Sequence, residues 1–385
     1  MVDFAYLSGD RLFVETDGSE PRAVESAFAA KVAQRSASMA RKNAWKTQGR
    51  GARFQMGMEG IPEELLQPKL AASAVTFTGL SRGRHSAELM YTLSTGAVAG
   101  LFAFAGGEEE RLFHGGDYYV SEPANEPNGE RCACVVRGSD GQTHIGLIVP
   151  GQAGVAQVTV GDTLDTAPSW VPGEQALVFE SRALGYDRSG RVVDFAPSTV
   201  QRLDLAAGEV TPLVAIDNVS CSAPRVAGDR SLYYIRRPVP VVRTHWGSLV
   251  WDALLFPFRV LMAIVQWFNM FSLRYSGKPL ITGGDARSKQ ADLKRAAQLG
   301  NLTSAAANVV DESDDDEGVA LADSELVCQS ADGSSRVLAK GVRCFDVYVD
   351  GGVVWSDGRS LFYRAAAGEP RKLGKRKDVQ QLLAL

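Results

Sequence analysis

Short stretches in which hydrophobic and polar residues alternate recur along most of the chain, separated by turns that contain glycine or aspartate. An alternation with a period of two is typical of β-strands with one buried face. The repeated unit is a strand, a glycine-containing turn and a second strand. Six such hairpins are predicted, at residues 11–24, 99–113, 144–160, 200–214, 325–338 and 360–373.

A third strand precedes the later hairpins, at residues 132–136, 176–180, 232–236 and 353–356. Three or four antiparallel strands repeated six times, with no alternating helices, predict an all-β fold, a six-bladed β-propeller formed by residues 1–385 as one domain. A β-sandwich is the alternative. The hairpin at 11–24 lacks an innermost strand. We expect residues 379–385 to supply it, which would close the ring and remove an exposed sheet edge.

One stretch carries a family resemblance. Residues 167–179 have the sequence APSWVPGEQALVF and are followed by VQRLDL at 200–205 and a Gly-Glu turn at 208–209. This arrangement resembles the repeat of TolB-type propellers, in which a Pro-x-Trp-x-Pro-Asp-Gly turn joins two strands ahead of a hairpin. Residues 223–234 are a second copy without the tryptophan, and Gly173 follows Pro172 without the usual aspartate. The resemblance implies a propeller and no particular activity.

Two segments interrupt the strand pattern, at residues 25–70 and 238–318. The first joins the last strand of one repeat to the first strand of the next, and the second joins the second and third strands of the fifth repeat. Because antiparallel strands alternate in direction, both connections are expected on the same face of the propeller. Long insertions often carry function, so this face is the predicted functional surface.

The insertion at 25–70 opens with an alanine-rich stretch free of glycine and proline, which predicts a helix. No acidic residue occurs between Glu25 and Glu59. The predicted basic surface consists of Lys31, Arg35, Arg41, Lys42, Lys46 and Arg50. Such a surface is either a solvated helix face or a site for an anionic partner.

The insertion at 238–318 combines a hydrophobic helical part with an acidic linker, and residues 246–273 are its most hydrophobic run. Residues 250–271 are long enough to span a bilayer, but a single span does not suit two ends that return to adjacent strands. Three alternatives remain: a segment folded onto its own propeller, one in a membrane interface and one in a partner's groove. The tryptophans and flanking arginines favour the membrane. The predicted docking residues are Trp246, Trp251, Phe256, Phe258, Arg259, Trp267 and Phe268.

Composition and charge narrow the classes of function. The chain has a net charge of −4 and a pI near 5.7, which argues against nucleic-acid binding over the whole surface. Its first residues lack the features of an export signal, and its five cysteines lack the spacing of a zinc site or a disulfide framework. We therefore expect a cytoplasmic protein without metal or cofactor, peripheral on the inner membrane face if the insertion meets lipid.

The catalytic motifs in the sequence do not identify an active site. Gly79-Leu-Ser-Arg-Gly83 matches the Gly-x-Ser-x-Gly nucleophile elbow, but that elbow needs a helix after the serine and residues 86–92 have the pattern of a strand. We therefore expect no nucleophile at Ser81. The four histidines lie far apart, and neither a Walker loop nor a dinucleotide fingerprint occurs. Cys132 and Cys134 share one face of a strand and are interpreted as small core residues.

The leading hypothesis is a non-catalytic binding scaffold that docks through its inserted face on a membrane surface or a protein partner. A hydrolase with a site at the central channel and a structural subunit of a larger assembly are the alternatives. An enzyme would need a cluster of polar groups with perturbed pKa values around the channel. A scaffold would need exposed apolar and basic side chains on one face. The sequence identifies no small-molecule ligand.

Overall fold

A computed structural model describes residues 2–16, 19–47, 75–85, 88–95, 98–116, 118–138, 141–188, 192–239 and 323–385. Antiparallel strands dominate these residues, which also contain one α-helix. The chain forms two compact units. The first comprises Met1–Ala29, Val75–Val239 and Asp311–Leu385, and the second comprises Ala30–Ala74 and Pro240–Val310. The strands lie in the first unit, and residues 30–47 are the described part of the second.

Four sheets of four strands each are formed by the described residues. The first contains β1 (Asp3–Ser8), β2 (Arg11–Thr16), β3 (Arg22–Val24) and, beside β1, the last strand β25 (Val379–Ala384). The second contains β4 (Thr76–Arg82), β5 (Leu89–Ser94), β6 (Ala99–Ala105) and β7 (Glu108–Gly115). The third contains β17 (Val219–Val226), β18 (Leu232–Pro238), β19 (Glu325–Gln329) and β20 (Ser335–Lys340). The fourth contains β21 (Cys344–Val347), β22 (Val353–Ser356), β23 (Ser360–Arg364) and β24 (Arg371–Lys375).

A larger sheet contains two antiparallel groups. The first group is β8 (Tyr119–Asn125), β9 (Cys132–Arg137), β10 (Thr143–Ile148) and β11 (Ala156–Gln157). The second is β12 (Thr163–Trp170), β13 (Ala176–Tyr186), β15 (Thr199–Asp204) and β16 (Glu209–Val214). One parallel residue pair, between β10 and β12, joins the groups. The end of β13 also pairs with β14 (Val192–Phe195), and we call residues 184–188 and 192–195 the hairpin arm.

The end strands of these groups contact one another in cyclic order. Contacts run from β25 to β4, β8, β12, β17 and β21 and return to β25. We call these six the inner strands. The predicted closure of the first sheet by the C-terminal strand is confirmed, because β25 pairs with β1.

Neighbouring sheets enclose the hydrophobic core. One core cluster combines Met90 and Leu101 of the second sheet with Cys132, Cys134 and Ile148 of the β8–β11 group. The interpretation of the two cysteines as core residues is therefore confirmed. Burial raises the pKa of the Cys132 thiol to about 12, so this thiol stays protonated and unreactive at neutral pH.

The strands largely follow the predicted hairpins, with one difference at 144–160. The second strand there was predicted to include residues 155–160, whereas β11 has only two residues. The chain leaves β11 and crosses β10, since the N–H groups of Val158 and Thr159 both donate to the Ile145 carbonyl. The side chain of Thr159 then accepts a hydrogen bond from the Ile145 N–H at 2.9 Å, which fixes this crossing.

The helix α1 (Ala27–Thr47) confirms the helix predicted at the start of the first insertion. Ser26 is its N-cap, since its Oγ accepts a hydrogen bond from a first-turn N–H at 3.0 Å. Glu109, at the start of β7, holds this turn from another sheet. Its carboxylate accepts hydrogen bonds from the Phe28 N–H at 2.8 Å and the Tyr91 hydroxyl at 2.6 Å. The first turn is therefore fixed to the sheets by charge-assisted hydrogen bonds.

Candidate ligand site at the inner strands

The residues predicted for docking lie mostly outside the part of the chain that can be described. This holds for Trp246, Trp251, Phe256, Phe258, Arg259, Trp267, Phe268 and Arg50. Lys31 and Arg35 are exposed on α1. Arg41, Lys42 and Lys46 belong to the same helix, but their side chains are not described. Among the described residues, no helix is long and apolar enough to cross a membrane.

Three inner strands share an unusual backbone feature. Each has a β-bulge at which a residue with positive φ precedes a proline, as Glu122, Ala167 and Ala223 have φ values of 48°, 52° and 51°. Positive φ is unfavourable for residues other than glycine, so the surrounding structure must hold it in place. At each of these bulges, two residues lie opposite one on the neighbouring strand.

Carboxylates bind backbone N–H groups at these irregular positions. Glu122 Oε2 accepts a hydrogen bond from the Ala167 N–H at 2.7 Å, and Glu180 Oε2 accepts one from the Ala223 N–H at 3.3 Å. In both cases the carboxylate belongs to one group of strands and the N–H to the inner strand of the next. These hydrogen bonds satisfy partly buried N–H donors and link neighbouring groups of strands.

Three arginines occupy equivalent positions beside the bulges. They are Arg137 on β9, Arg182 on β13 and Arg237 on β18, and we call them the arginine row. Each pairs with the inner-strand residue that lies three positions before the positive-φ residue. The pairs are Tyr119 with Arg137, Leu164 with Arg182 and Ser220 with Arg237. The repeat therefore places three guanidinium groups at the same register in three consecutive groups of strands.

The two glutamates beside the arginine row have perturbed acidities. Desolvation raises the pKa of Glu122 above its ordinary value, against the lowering effects of the Ala167 N–H and of nearby arginines. Desolvation also raises the pKa of Glu180, and the charges of Arg182 and Arg237 oppose it. Both side chains are half-buried. This combination of burial and neighbouring charge marks candidate functional sites.

The arginine row is only loosely paired. The closest approach of Arg182 Nη2 to Glu180 Oε1 is 3.9 Å, which is longer than a hydrogen bond. The buried Nε of Arg137 has no hydrogen-bond partner among the described residues, and its guanidinium lies 5.3 Å from the centre of the Tyr119 ring. Within the same part of the chain, no hydrogen bond from the Arg237 side chain is found. Among the described residues, the row therefore makes few hydrogen bonds.

Ser81 does not lie in a nucleophile elbow. It belongs to β4, and the next described element is the strand β5 rather than a helix. Its Oγ accepts a hydrogen bond from the Asn125 N–H at 2.8 Å and donates to the Arg82 carbonyl at 3.1 Å. The described residues also contain no group of three or more His, Cys, Asp or Glu side chains placed to hold a metal ion.

Sequence reasoning missed the arginine row and its glutamates, although the sequence holds a signal for them. Arg137, Arg182 and Arg237 follow the pre-proline residues of the three bulges by 15, 15 and 14 positions. Alignment of the repeats on the pre-proline residue, rather than on the hairpins, would have brought the three arginines to within one position of each other.

We expect Glu122→Gln to remove a pH dependence of stability. A carboxyl group with a raised native pKa binds its proton more tightly in the folded state, so stability falls as pH rises from about 4.5 through the native pKa. Glutamine keeps an acceptor for the Ala167 N–H without the charge. The variant should gain stability relative to the wild type over this range. Urea unfolding at several pH values between 4.5 and 8 measures the effect.

The matched control is Glu130→Gln, because Glu130 is exposed. As a substitution of an exposed side chain, it should change the free energy of unfolding by less than about 0.5 kcal/mol. Parallel pH profiles for the wild type and Glu122→Gln would show that Glu122 is not desolvated in the folded protein.

Antiparallel groups whose inner strands contact one another in a cycle define a β-propeller. The structure is similar to that of TolB from Acinetobacter baumannii, with a TM-score of 0.53 and 12% identity, and it covers 99% of this chain and 66% of the TolB chain. It is also similar to a chain of a nidogen–laminin complex, with a TM-score of 0.50 and 8% identity over 99% of this chain and 97% of the other.

This chain thus spans slightly less than two thirds of the length of the TolB chain. No protein-family profile matches the sequence. No curated protein matches it either. The predicted resemblance to TolB-type propellers is therefore confirmed for the fold, and at these identities it extends no further than the fold.

Proposed function

We propose that the chain is a six-bladed β-propeller that serves as a non-catalytic binding scaffold, docking through one face on a membrane surface or a protein partner. Support for six blades comes from the strand pairing. Four sheets of four strands, together with the β8–β11 group and the β12–β16 group, make six units, and the six inner strands contact one another in one cycle.

The docking face in this proposal is the one at which the inner strands begin, and we call it the insertion face. Strand direction alternates within each group, so β3 and β18 both end at this face and β4 and β19 both begin there. The two long insertions follow β3 and β18. The chain therefore leaves the propeller and returns to it at the insertion face in both cases.

Exposed apolar side chains at the insertion face carry the proposal. Tyr118, Val160, Tyr186, Val192 and Val193 are all exposed, with Val160 at 80% and Val193 at 59%. They lie in the connections before β8 and β12 and on the hairpin arm. Apolar side chains gathered at one face are typical of an interaction surface.

The helix α1, taken by itself, is basic. It contains Lys31, Arg35, Arg41, Lys42 and Lys46 and no acidic residue. Each lysine or arginine near an anionic membrane contributes about 1 kcal/mol of attraction, which salt weakens. The hydrogen bonds of Glu109 to the first turn fix where this basic helix begins.

A hydrolase at the central channel is the second candidate, because Glu122 and Glu180 have raised pKa values. Both carboxylates accept hydrogen bonds from backbone N–H groups of the next inner strand. These hydrogen bonds give both carboxylates a structural role, because they link neighbouring groups of strands. The scaffold is therefore the function that we favour.

Co-sedimentation with vesicles tests membrane docking. We expect Lys31→Glu plus Arg35→Glu to reduce binding to anionic vesicles and to remove most of its salt dependence. We expect Tyr186→Ser plus Val193→Ser to reduce binding at all salt concentrations, because each loses buried apolar area. The predicted docking tryptophans are tested in the same way with Trp251→Ser plus Trp267→Ser.

The matched control is Val210→Ser plus Leu213→Ser, since both residues are exposed on β16 at the outer edge of their sheet. This variant should sediment like the wild type. Equal sedimentation of all variants, or none by the wild type, would contradict membrane docking and leave a protein partner as the occupant of the face.

A further inference from the structure

We propose that the arginine row, Arg137, Arg182 and Arg237, binds a doubly charged oxyanion, the phosphate group of a small ligand or of a lipid headgroup. This inference goes beyond the scaffold function, because it assigns a specific ligand chemistry to the second strands of three groups. It concerns the described residues of the first unit alone, and its first test uses no membrane.

The register places the three arginines at equivalent positions in three consecutive groups of strands. Each lies on the second strand of its group, directly opposite the inner strand and close to the insertion face. The charge of Arg182 is near enough to contribute to a lowered pKa of Arg237, for which desolvation is the main cause. The charge of Glu180 acts in the opposite direction on Arg237, so one carboxylate faces the positive charges of Arg182 and Arg237.

Two other arginines of the first unit form bidentate pairs with a carboxylate. Arg131 makes two hydrogen bonds to Glu126, at 2.9 and 2.7 Å, and Arg376 makes two to Glu15, at 3.0 and 2.7 Å. Such bidentate pairs use the donors that an anion would need. By contrast, Arg182 and Glu180 are separated by 3.9 Å and do not form a bidentate pair.

Glu122 and Glu180 balance part of the positive charge but cannot saturate its donors. Each has an oxygen committed to a backbone N–H of the next inner strand. Three guanidinium groups offer more donors than the two oxygens of a carboxylate can accept. A phosphate or sulfate group, with more oxygens and two negative charges, suits them better.

The experiment titrates sulfate, which keeps both charges between pH 5 and 8, at constant ionic strength set with sodium chloride. Isothermal titration calorimetry on the full chain should show saturable binding. Arg182→Gln and Arg237→Gln should each weaken the affinity about tenfold or more, the size expected for one lost charge-assisted hydrogen bond. Glu180→Gln should strengthen the affinity severalfold, because a competing negative charge is removed.

The control is Arg188→Gln, which removes an exposed charge from the hairpin arm without changing the row. It should bind sulfate within about twofold of the wild type. Unfolding of each variant in chloride alone verifies that it is folded. Absence of saturable binding by the wild type, an equal loss in Arg188→Gln, or weaker binding by folded Glu180→Gln would each overturn the proposal.

Two further arms identify the source of the phosphate. Inorganic phosphate should compete with sulfate in solution. Vesicles of phosphatidylcholine with and without phosphatidic acid then test a headgroup. Retention on phosphatidic acid that is lost in Arg182→Gln and competed by inorganic phosphate assigns a lipid headgroup. Competition in solution without such retention assigns a small soluble ligand, and failure of both arms rejects the site.

Discussion

Asp346→Ala should destabilise the protein by about 3–5 kcal/mol, the range for removing one partner of a buried ion pair. The Asp346 side chain on β21 is buried, and the residue is 5% exposed. It accepts hydrogen bonds from Arg225 Nε at 3.1 Å and from the Ala384 N–H at 2.8 Å. Arg82 Nη2 lies 3.8 Å away. One carboxylate therefore contacts groups from the inner strands β17, β25 and β4.

Loss of this carboxylate leaves Arg225 Nε and the Ala384 N–H without their acceptor and removes the opposite charge from the guanidinium. Urea unfolding at pH 7 measures the change in the free energy of unfolding. The control is Asp217→Ala, at an exposed aspartate, which should change stability by less than about 0.5 kcal/mol. A loss below 1 kcal/mol in Asp346→Ala would show that the inner strands do not depend on this link.

Local sequence patterns were sufficient to predict the hairpins. In β23 and β24, for example, a short alternating run, a glycine turn and a second run specify the pairing without reference to the rest of the chain. The closure by β25 was also predictable. Its apolar residues needed a buried partner, and the first hairpin lacked an innermost strand.

The hairpin arm could not be predicted in this way. Residues Val192 and Val193 of β14 are exposed, so no alternation of buried and exposed positions marks that strand. Its pairing depends on β13, which continues beyond its own group of strands to Tyr186. A strand that forms because its neighbour is extended need not have an alternating pattern in its own sequence.

The candidate site was missed for a related reason. The bulge residues Ala167 and Ala223 have positive φ although neither is glycine, so composition gives no sign of the conformation. The link from Asp346 to Arg225 joins residues 121 positions apart. A charged residue at the end of a strand is usually interpreted as a solvent-exposed side chain. Only the register across three groups of strands shows that Arg137, Arg182 and Arg237 occupy equivalent positions.

Gly79→Ala should destabilise the protein by about 3 kcal/mol, at the upper end of the range for overpacking. Gly79 is the first glycine of the motif that resembles a nucleophile elbow, and it lies on β4 beside the β8 bulge. A Cβ at this position would lie 2.5 Å from Pro123 Cδ and 2.6 Å from the Glu122 Cα and N atoms. These atoms belong to backbone and to a proline ring, so they cannot rotate away and β4 and β8 would have to separate.

Gly115→Ala is the matched control, because its Cβ would make ordinary contacts of 3.4 and 3.9 Å with the Phe113 ring. Thermal and urea unfolding of both variants should show a large loss for Gly79→Ala and less than about 0.5 kcal/mol for Gly115→Ala. Equal stability of the two variants would mean that β4 has room beside the bulge. A large difference in stability between the two variants would show that Gly79 is needed because two inner strands pack closely there. The Gly-x-Ser-x-Gly pattern then requires no catalytic serine.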